Sequence, residues 1–163
     1  MEPLFTTKTP YTMEEFMRFS EQIGLKSKRF VRTRLMLFTA IILLAVVALL
    51  NRSYGMAIGF AIGGVLFPFV LVSSFRSNVR RTYNSNALIR DAVCTLSFYE
   101  QHMAGDDPTG HAEYTYDKLY SIVETDTNFY IMISENQGSI VIKQNCTPEL
   151  ISFIQELKQK YGK

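Results

Sequence analysis

The sequence predicts an α+β membrane protein, in which a two-helix transmembrane hairpin precedes a small antiparallel β-sheet domain capped by a C-terminal helix. Two long runs without charge, residues 35–50 and 55–75, predict the hairpin. After residue 92, short segments rich in β-branched and aromatic residues alternate with turn residues and predict the sheet. Segregation of charge along the 163 residues indicates two different environments.

Acidic and basic residues occupy different parts of the chain. The segment from Gln22 to Arg90 contains ten lysines and arginines and no aspartate or glutamate. From Asp91 onward the chain contains eleven acidic residues and five lysines. The formal net charge of +2 therefore describes neither part. Because binding to nucleic-acid phosphates requires a basic surface, the acidic C-terminal part argues against nucleic acid as a partner.

The two uncharged runs are long enough to cross a bilayer. A hydrocarbon core of about 30 Å needs about 20 residues of helix, with a lower limit near 17. Residues 55–75 meet this length, and residues 35–50 reach it when Arg34 extends its side chain to the headgroups. Neither run has the polar face expected of a helix in a soluble protein, which disfavours a soluble core hairpin. Residues 51–54 supply turn-forming side chains and the aromatic anchor Tyr54.

The flanks of the runs predict the orientation. The turn carries only Arg52, whereas basic residues crowd the opposite ends of both runs. The positive-inside rule then predicts a two-pass protein of the cytoplasmic (inner) membrane with both termini in the cytoplasm. We expect the flanking basic residues to lie at the membrane interface in contact with lipid: Lys26, Lys28, Arg29, Arg32, Arg34, Arg76, Arg80 and Arg81.

Glycines mark one face of the second run. Gly55, Gly59 and Gly63 form two consecutive G-x-x-x-G steps, which let another helix approach closely in lipid. The sequence leaves two partners open for these helix-packing residues: the first helix of the same hairpin, or a second copy of the chain. Pro68 predicts a kink near the inner end of this helix.

The N-terminal part, residues 1–34, is predicted to hold a short extended piece, an amphipathic helix and the basic collar. Thr12 and Glu15 have the spacing of a capping box at the start of this helix. The helix could pack on the membrane surface or on the C-terminal domain, and the sequence does not distinguish between these two positions. Residues 76–92 are predicted to be a basic linker, helical in part, and residues 93–163 the cytoplasmic domain.

Strand-like segments fill most of the C-terminal part. Residues 92–102 alternate and place Cys94, Leu96 and Phe98 on one face, whereas residues 105–110 are dense in turn residues. Four further segments with strand character indicate a meandering antiparallel sheet: residues 111–116, 119–125, 128–134 and 138–143.

A final helix is predicted after the last strand. Thr147 is suited to the N-cap and Pro148 to the first helical position. The helix has a wide apolar face for covering the sheet, made of Leu150, Ile151, Phe153, Ile154 and Leu157. A small sheet capped by one C-terminal helix is the plan of a pleckstrin-homology-like (PH-like) domain.

Two stretches carry a likeness to a known family. They are TYNSNALIRDAVCTLSFYEQHM and YDKLYSIVETDTNFYIMISENQGSIVIKQNCTPELISFIQEL. On these residues the chain resembles the YcxB-like family, small and mainly bacterial proteins with an N-terminal segment, two membrane helices and a C-terminal YcxB-like domain. The family often has Trp where this chain has Tyr116, and Ile-Pro-Lys where it has Val141-Ile142-Lys143. The resemblance implies a fold and a membrane location, and it names no activity.

Motifs of catalysis and cofactor binding are missing from the sequence. It has no Gly-rich phosphate loop, no H-E-x-x-H and no G-x-S-x-G, so we expect neither an enzyme nor a cofactor. Cys94 and Cys146 are expected to be reduced thiols, with Cys94 buried on the apolar strand face.

Two groups of polar residues resemble a metal site or a catalytic acid pair, but their surroundings in the sequence support neither. His102 and His111 flank the Asp106–Asp107 turn, but their spacing matches no known metal site, and we expect solvated side chains there. Glu124 and Asp126 share one strand face, and without an identifiable nucleophile they are expected to be exposed charges at a strand end.

Two classes of function remain. The favoured one is a membrane-anchored, non-enzymatic interaction protein whose cytoplasmic domain binds a protein partner, or which forms a homo-oligomer. The alternative is an immunity protein that neutralises a membrane-acting toxin through the transmembrane hairpin. For the first class, the strand at residues 138–143 is a candidate partner edge through Ile140, Val141, Ile142 and Lys143, unless the N-terminal segment covers it.

Overall fold

The protein is described by a computed structural model over residues 2–161. It contains two compact units: the β domain, residues 2–19 with 83–161, and the helical unit, Ser20–Thr82. The helices are α1 (Met13–Ile23), α2 (Lys28–Leu50), α3 (Tyr54–Ser85) and α4 (Pro148–Tyr161). The strands are β1 (Phe5–Pro10), β2 (Val93–Phe98), β3 (His102–Asp107), β4 (Gly110–Thr115), β5 (Ser121–Glu124), β6 (Asn128–Met132) and β7 (Gly138–Ile142).

The helical unit contains the predicted hairpin. Ser27 caps α2, since its Oγ accepts a hydrogen bond from the backbone N–H of Phe30 at 3.2 Å. At the other end, the Asn51 amide donates to the carbonyl of Val47 at 2.9 Å, and Arg52 takes a left-handed conformation with φ of 56°. Both helices extend beyond the uncharged runs, because basic residues continue the helical conformation outside the apolar segment.

The packing of α2 against α3 is antiparallel around this turn. Ala48 and Ala57 are both buried, and they lie at equal distances along the chain from the turn. Further out, a Cβ atom at Gly64 would lie 3.4 Å from Cγ2 of Ile41, which is ordinary van der Waals contact. Small residues at these positions let the two backbones approach.

The β domain contains two antiparallel sheets instead of the single predicted one. β1, β2, β3 and β4 form the first in that order, and β5, β6 and β7 form the second. The sequence interpretation missed β3, because it assigned residues 105–107 to a turn. Gly105 in fact pairs with Leu96, and a Cβ at this glycine would lie 3.3 Å from Cδ2 of Leu96, so a glycine suits the close packing there.

The two sheets and α4 enclose one apolar core. Cys94, Leu96 and Phe98 point into it from β2, as the alternation predicted. Leu150, Ile154 and Leu157 are its buried contribution from α4, while Ile151 and Phe153 pack against it. The predicted N-cap is confirmed, since the Leu150 N–H donates to Oγ1 of Thr147 at 3.3 Å.

The N-terminal segment is part of the β domain. β1 pairs with β2 throughout its length, from Phe5 opposite Phe98 to Pro10 opposite Val93. The first part of α1 covers β6, where the rings of Phe19 and Tyr130 lie 5.6 Å apart. β6 is consequently buried at all five positions, which an uncovered outer face would not allow. This helix therefore packs on the domain, one of the two places that the sequence left open.

Candidate functional site

The helices α2 and α3 expose most of their apolar surface. Phe30–Leu50 and Tyr54–Ser85 are long and apolar enough to cross a membrane. Within the most apolar 18-residue segment of each helix, only 6% and 11% is buried, respectively. The core helix of a soluble protein would have most of such a window buried. An apolar surface of this extent marks contact with a membrane or with another protein.

The predicted interface residues lie at the ends of the two helices. Lys28, Arg32 and Arg34 occupy the first two turns of α2, and Lys26 precedes them. Arg29 belongs to the same turns, but its side chain lies outside the described residues. On α3, the Arg76 Nε donates to Oε1 of Glu21 at 2.7 Å.

Arg80 and Arg81 are exposed on the following turn of α3. Among the described ion pairs, that of Arg76 with Glu21 involves one of these interface residues and no other pair does. Among the described side chains, the other interface charges are therefore available to anionic groups outside the chain.

The three predicted helix-packing glycines point away from α2. A Cβ at Gly55, Gly59 or Gly63 would have no neighbouring atom within 4 Å, whereas a Cβ at Gly64 would touch α2. The reason is helical geometry: residues 57, 60 and 64 share the face that is turned to α2, and the other glycines fall outside it. Of the two partners that the sequence left open, the first helix of the hairpin does not contact this face.

The candidate partner edge, β7, lies beside β1. Ile140 and Val141 are buried, and Ile142 is half-buried. After β7, the Asn145 side chain donates to the carbonyl of Lys8 in β1 at 2.9 Å, which joins β1 to the turn that follows β7. The N-terminal segment thus lies along this edge, the arrangement that the sequence named as the alternative to an open edge.

Residues 98–157, from the end of β2 through most of α4, match the model of the YcxB-like protein family. The matched region is YcxB-like. This confirms the resemblance that the sequence indicated. The YcxB-like region holds most of the core, whereas β1 and α1, which complete the β domain, lie outside the match. No curated protein and no solved structure matches the chain.

Tyr116 is a central residue of the YcxB-like region, at the position where the family often has Trp. It is 1% exposed, and its ring contacts those of Phe153 and Tyr161. Its hydroxyl donates to the carbonyl of Tyr99 at 2.7 Å, and burial raises its pKa above the ordinary value. Tyrosine therefore supplies both properties of a buried tryptophan, an aromatic anchor and a polar hydrogen donor.

The expectation that Glu124 is an exposed charge at a strand end is wrong. Its carboxylate instead joins β5 to Lys143 and to α4. Its Oε1 accepts from Lys143 at 2.9 Å and from Gln155 at 3.0 Å, and its Oε2 accepts from Lys158 at 3.0 Å. These three donors lower the pKa of Glu124 to about 2. Lys143, proposed above as an edge residue, is engaged here and also lies over the Phe129 ring at 4.6 Å.

A buried polar network joins α1 to β6, and sequence reasoning missed it. Oε2 of Glu15 accepts from the side-chain amide of Asn128, and its Oε1 accepts from Arg18 at 2.8 Å. The N-cap part of the predicted capping box is confirmed, since the Glu15 N–H donates to Oγ1 of Thr12 at 3.2 Å. The carboxylate does not return to Thr12, because the sheet offers it a buried partner. Spacing alone gives no signal for this contact.

The polar residues at the β3–β4 turn bond to one another at the surface. Nδ1 of His111 lies 2.6 Å from Asp106 and its Nε2 lies 3.2 Å from Glu113. The two carboxylates raise the pKa of His111. Over residues 2–161, no group of three or more His, Cys, Asp and Glu side chains is placed to hold a metal ion.

The β domain also has a surface groove of about 510 Å³. The rings of Tyr99 and His102 stack in it with centroids 4.4 Å apart. The residues before β1, the β2–β3 turn and the first residue of β3 form its lining, which is Glu2, Leu4, Tyr99, Glu100, Gln101 and His102. The pairing of β1 with β2 brings these distant residues together, which sequence patterns did not show.

Proposed function

We propose that the protein is a non-enzymatic interaction protein anchored in the cytoplasmic membrane by α2 and α3, with both termini in the cytoplasm. The observation that carries the proposal is the exposure of the apolar surface on both helices, joined by a turn with one charge and flanked by basic residues at the opposite ends. Orientation follows from the positive-inside rule, since Arg52 is the only charge in the turn.

The order of elements supports a PH-like fold for the cytoplasmic domain. A four-stranded antiparallel sheet is followed by a three-stranded one and then by a helix that covers the core. Domains of this kind serve many unrelated functions, so the site must indicate the activity.

The state of the polar side chains favours binding over catalysis. Glu124 and Glu15 are both held in structural bonds between elements. Cys94 is buried, and burial raises the pKa of its thiol, which disfavours the reactive thiolate. A basic segment of a protein partner suits the groove at Tyr99 and His102, because Glu2 and Glu100 supply carboxylates beside an aromatic surface.

A second copy of the chain is the partner that we propose for the glycine face of α3. That face is open, and Gly55, Gly59 and Gly63 leave room for close approach of another helix.

Anchoring and orientation are tested together with two variants that each add one cysteine to the chain. Ser53→Cys places a thiol in the turn, and Glu135→Cys places one in an exposed loop of the β domain. We expect a membrane-impermeant maleimide added to intact cells to label the first variant and not the second.

A further inference from the structure

One face of α3 carries a groove of about 610 Å³ that lies where the uncharged run ends. Its polar residues are displaced by about 100° or more around the helix from Ala57 and Gly64, whereas Pro68 and Val72 lie closer to the face that packs on α2. Its lining residues all belong to α3: Pro68, Phe69, Val72, Ser73, Arg76, Ser77 and Arg80.

The groove has an apolar half and a polar half along the helix axis. Pro68, Phe69 and Val72 belong to the uncharged run, and Arg76 is the first charge after it. At about 1.5 Å per residue the groove extends along about 18 Å of helix. It therefore crosses from the hydrocarbon region to the headgroup region of a membrane in which residues 55–75 form the span.

The polar half is suited to a phosphate group. Arg80 forms no ion pair among the described residues. Arg76 uses Nε for Glu21, which leaves its terminal nitrogens for another acceptor and steadies its position. The hydroxyls of Ser73 and Ser77 are exposed on the same face. Guanidinium groups beside hydroxyls are the usual ligands of phosphate oxygens.

We propose that this groove binds an anionic phospholipid, with the headgroup phosphate held by Arg76, Arg80 and the two serine hydroxyls. The acyl chains then lie along Phe69 and Val72. The apolar half distinguishes a lipid from free phosphate, for which it would have no use. The inference rests on the proposed membrane anchoring, and it adds a preference for one class of lipid at one place on α3.

Adjacent residues of the same type provide matched controls. Arg81 follows Arg80 and Ser74 follows Ser73, and both are exposed without lining the groove. The variants Arg80→Gln and Arg81→Gln remove equal charge, so a difference between them cannot come from overall electrostatics. Likewise Ser73→Leu and Ser74→Leu add the same bulk, but only Ser73→Leu fills the groove.

The experiment uses the full chain in lipid nanodiscs that contain phosphatidylcholine and trace spin-labelled lipid. Electron paramagnetic resonance measures how much labelled phosphatidylglycerol or labelled phosphatidylcholine is immobilised by the protein. We expect the wild-type chain to prefer phosphatidylglycerol, and Arg80→Gln to lower that preference about fivefold, the effect of one cation near anionic lipid. Arg81→Gln should change it less than twofold. Ser73→Leu should lower it and Ser74→Leu should not.

Five results would overturn the inference. Equal immobilisation of both lipids would leave the anchoring intact and remove the site, whereas failure of the chain to enter nanodiscs would remove the anchoring itself. Equal losses in Arg80→Gln and Arg81→Gln would indicate diffuse electrostatics. Displacement of the lipid by millimolar inorganic phosphate would indicate a free-anion site. Two chains per nanodisc with no lipid preference would assign the groove to a second copy.

Discussion

The substitution Glu124→Gln should destabilise the β domain at neutral pH. Glu124 joins β5 to Lys143, next to the end of β7, and to Gln155 and Lys158 of α4. Glutamine keeps the shape of the side chain but loses the charge, and its amide group would face the ammonium groups of two lysines. The bridge between the second sheet and α4 would be weakened while the core stays intact.

The magnitude follows from the pKa of Glu124. A decrease from 4.5 to about 2 corresponds to about 3 kcal/mol of stabilisation by the ionised form. The side chain of Glu124 is 22% exposed and that of Lys158 is 41% exposed, so solvent screens part of this energy. We therefore expect a loss of about 1–2 kcal/mol in the free energy of unfolding.

The pH dependence gives the prediction a sign. Because folding lowers the pKa of Glu124, its contribution is present above pH 4.5 and is lost as the pH falls towards 2. The wild-type chain and Glu124→Gln should thus differ at pH 7 and converge near pH 2. Urea unfolding of the full chain in a non-ionic detergent, followed by near-ultraviolet circular dichroism of the tyrosines, measures the difference.

The nearby variant Asp126→Asn is the control for charge. Asp126 is an exposed acid in the loop after β5, and its removal should change the stability by less than about 0.5 kcal/mol. If Glu124→Gln behaves like Asp126→Asn, or if its deficit persists unchanged to pH 2, the bridge does not stabilise the domain as argued.

The remaining predictions concern the hairpin and the core. Gly64→Leu should disrupt the hairpin because Ile41 is already in contact there, whereas Gly63→Leu should leave it folded. Protease resistance of the two variants in detergent measures the difference, and equal resistance would refute the packing of α2 against α3. Tyr116→Phe should cost about 1–2 kcal/mol because the half-buried Tyr99 carbonyl loses its donor, while Tyr120→Phe, at an exposed position, should be neutral. A thermal melt in which the two variants agree would contradict this.

Patterns with one cause were predictable from the sequence. Uncharged runs and their lengths indicated α2 and α3, since no other element needs so many apolar residues in succession. The alternation of Cys94, Leu96 and Phe98 indicated β2, and Thr147 with Pro148 indicated the start of α4. In each of these, the local residue types determine the structure.

Features that depend on distant residues could not be predicted. Three such features depend on residues far apart in sequence. They are the division into two sheets, the pairing of β1 with β2, and the hydrogen bonds of Glu124 to Lys143 and α4. The assignment of Gly105 to a turn was wrong, because glycine is common in turns but also suits a strand that packs closely on Leu96. The glycine spacing in α3 predicted a packing face but not which helix occupies it.

The central claim, that α2 and α3 cross the membrane with the β domain in the cytoplasm, is tested most directly by labelling Ser53→Cys and Glu135→Cys with an impermeant maleimide. The unmodified chain gives the background, since Cys94 is buried and Cys146 is half-buried. In intact cells we predict labelling of the Ser53→Cys chain alone, and labelling of both variants after permeabilisation. Labelling of Glu135→Cys in intact cells, or of Ser53→Cys only after permeabilisation, would contradict the proposed topology.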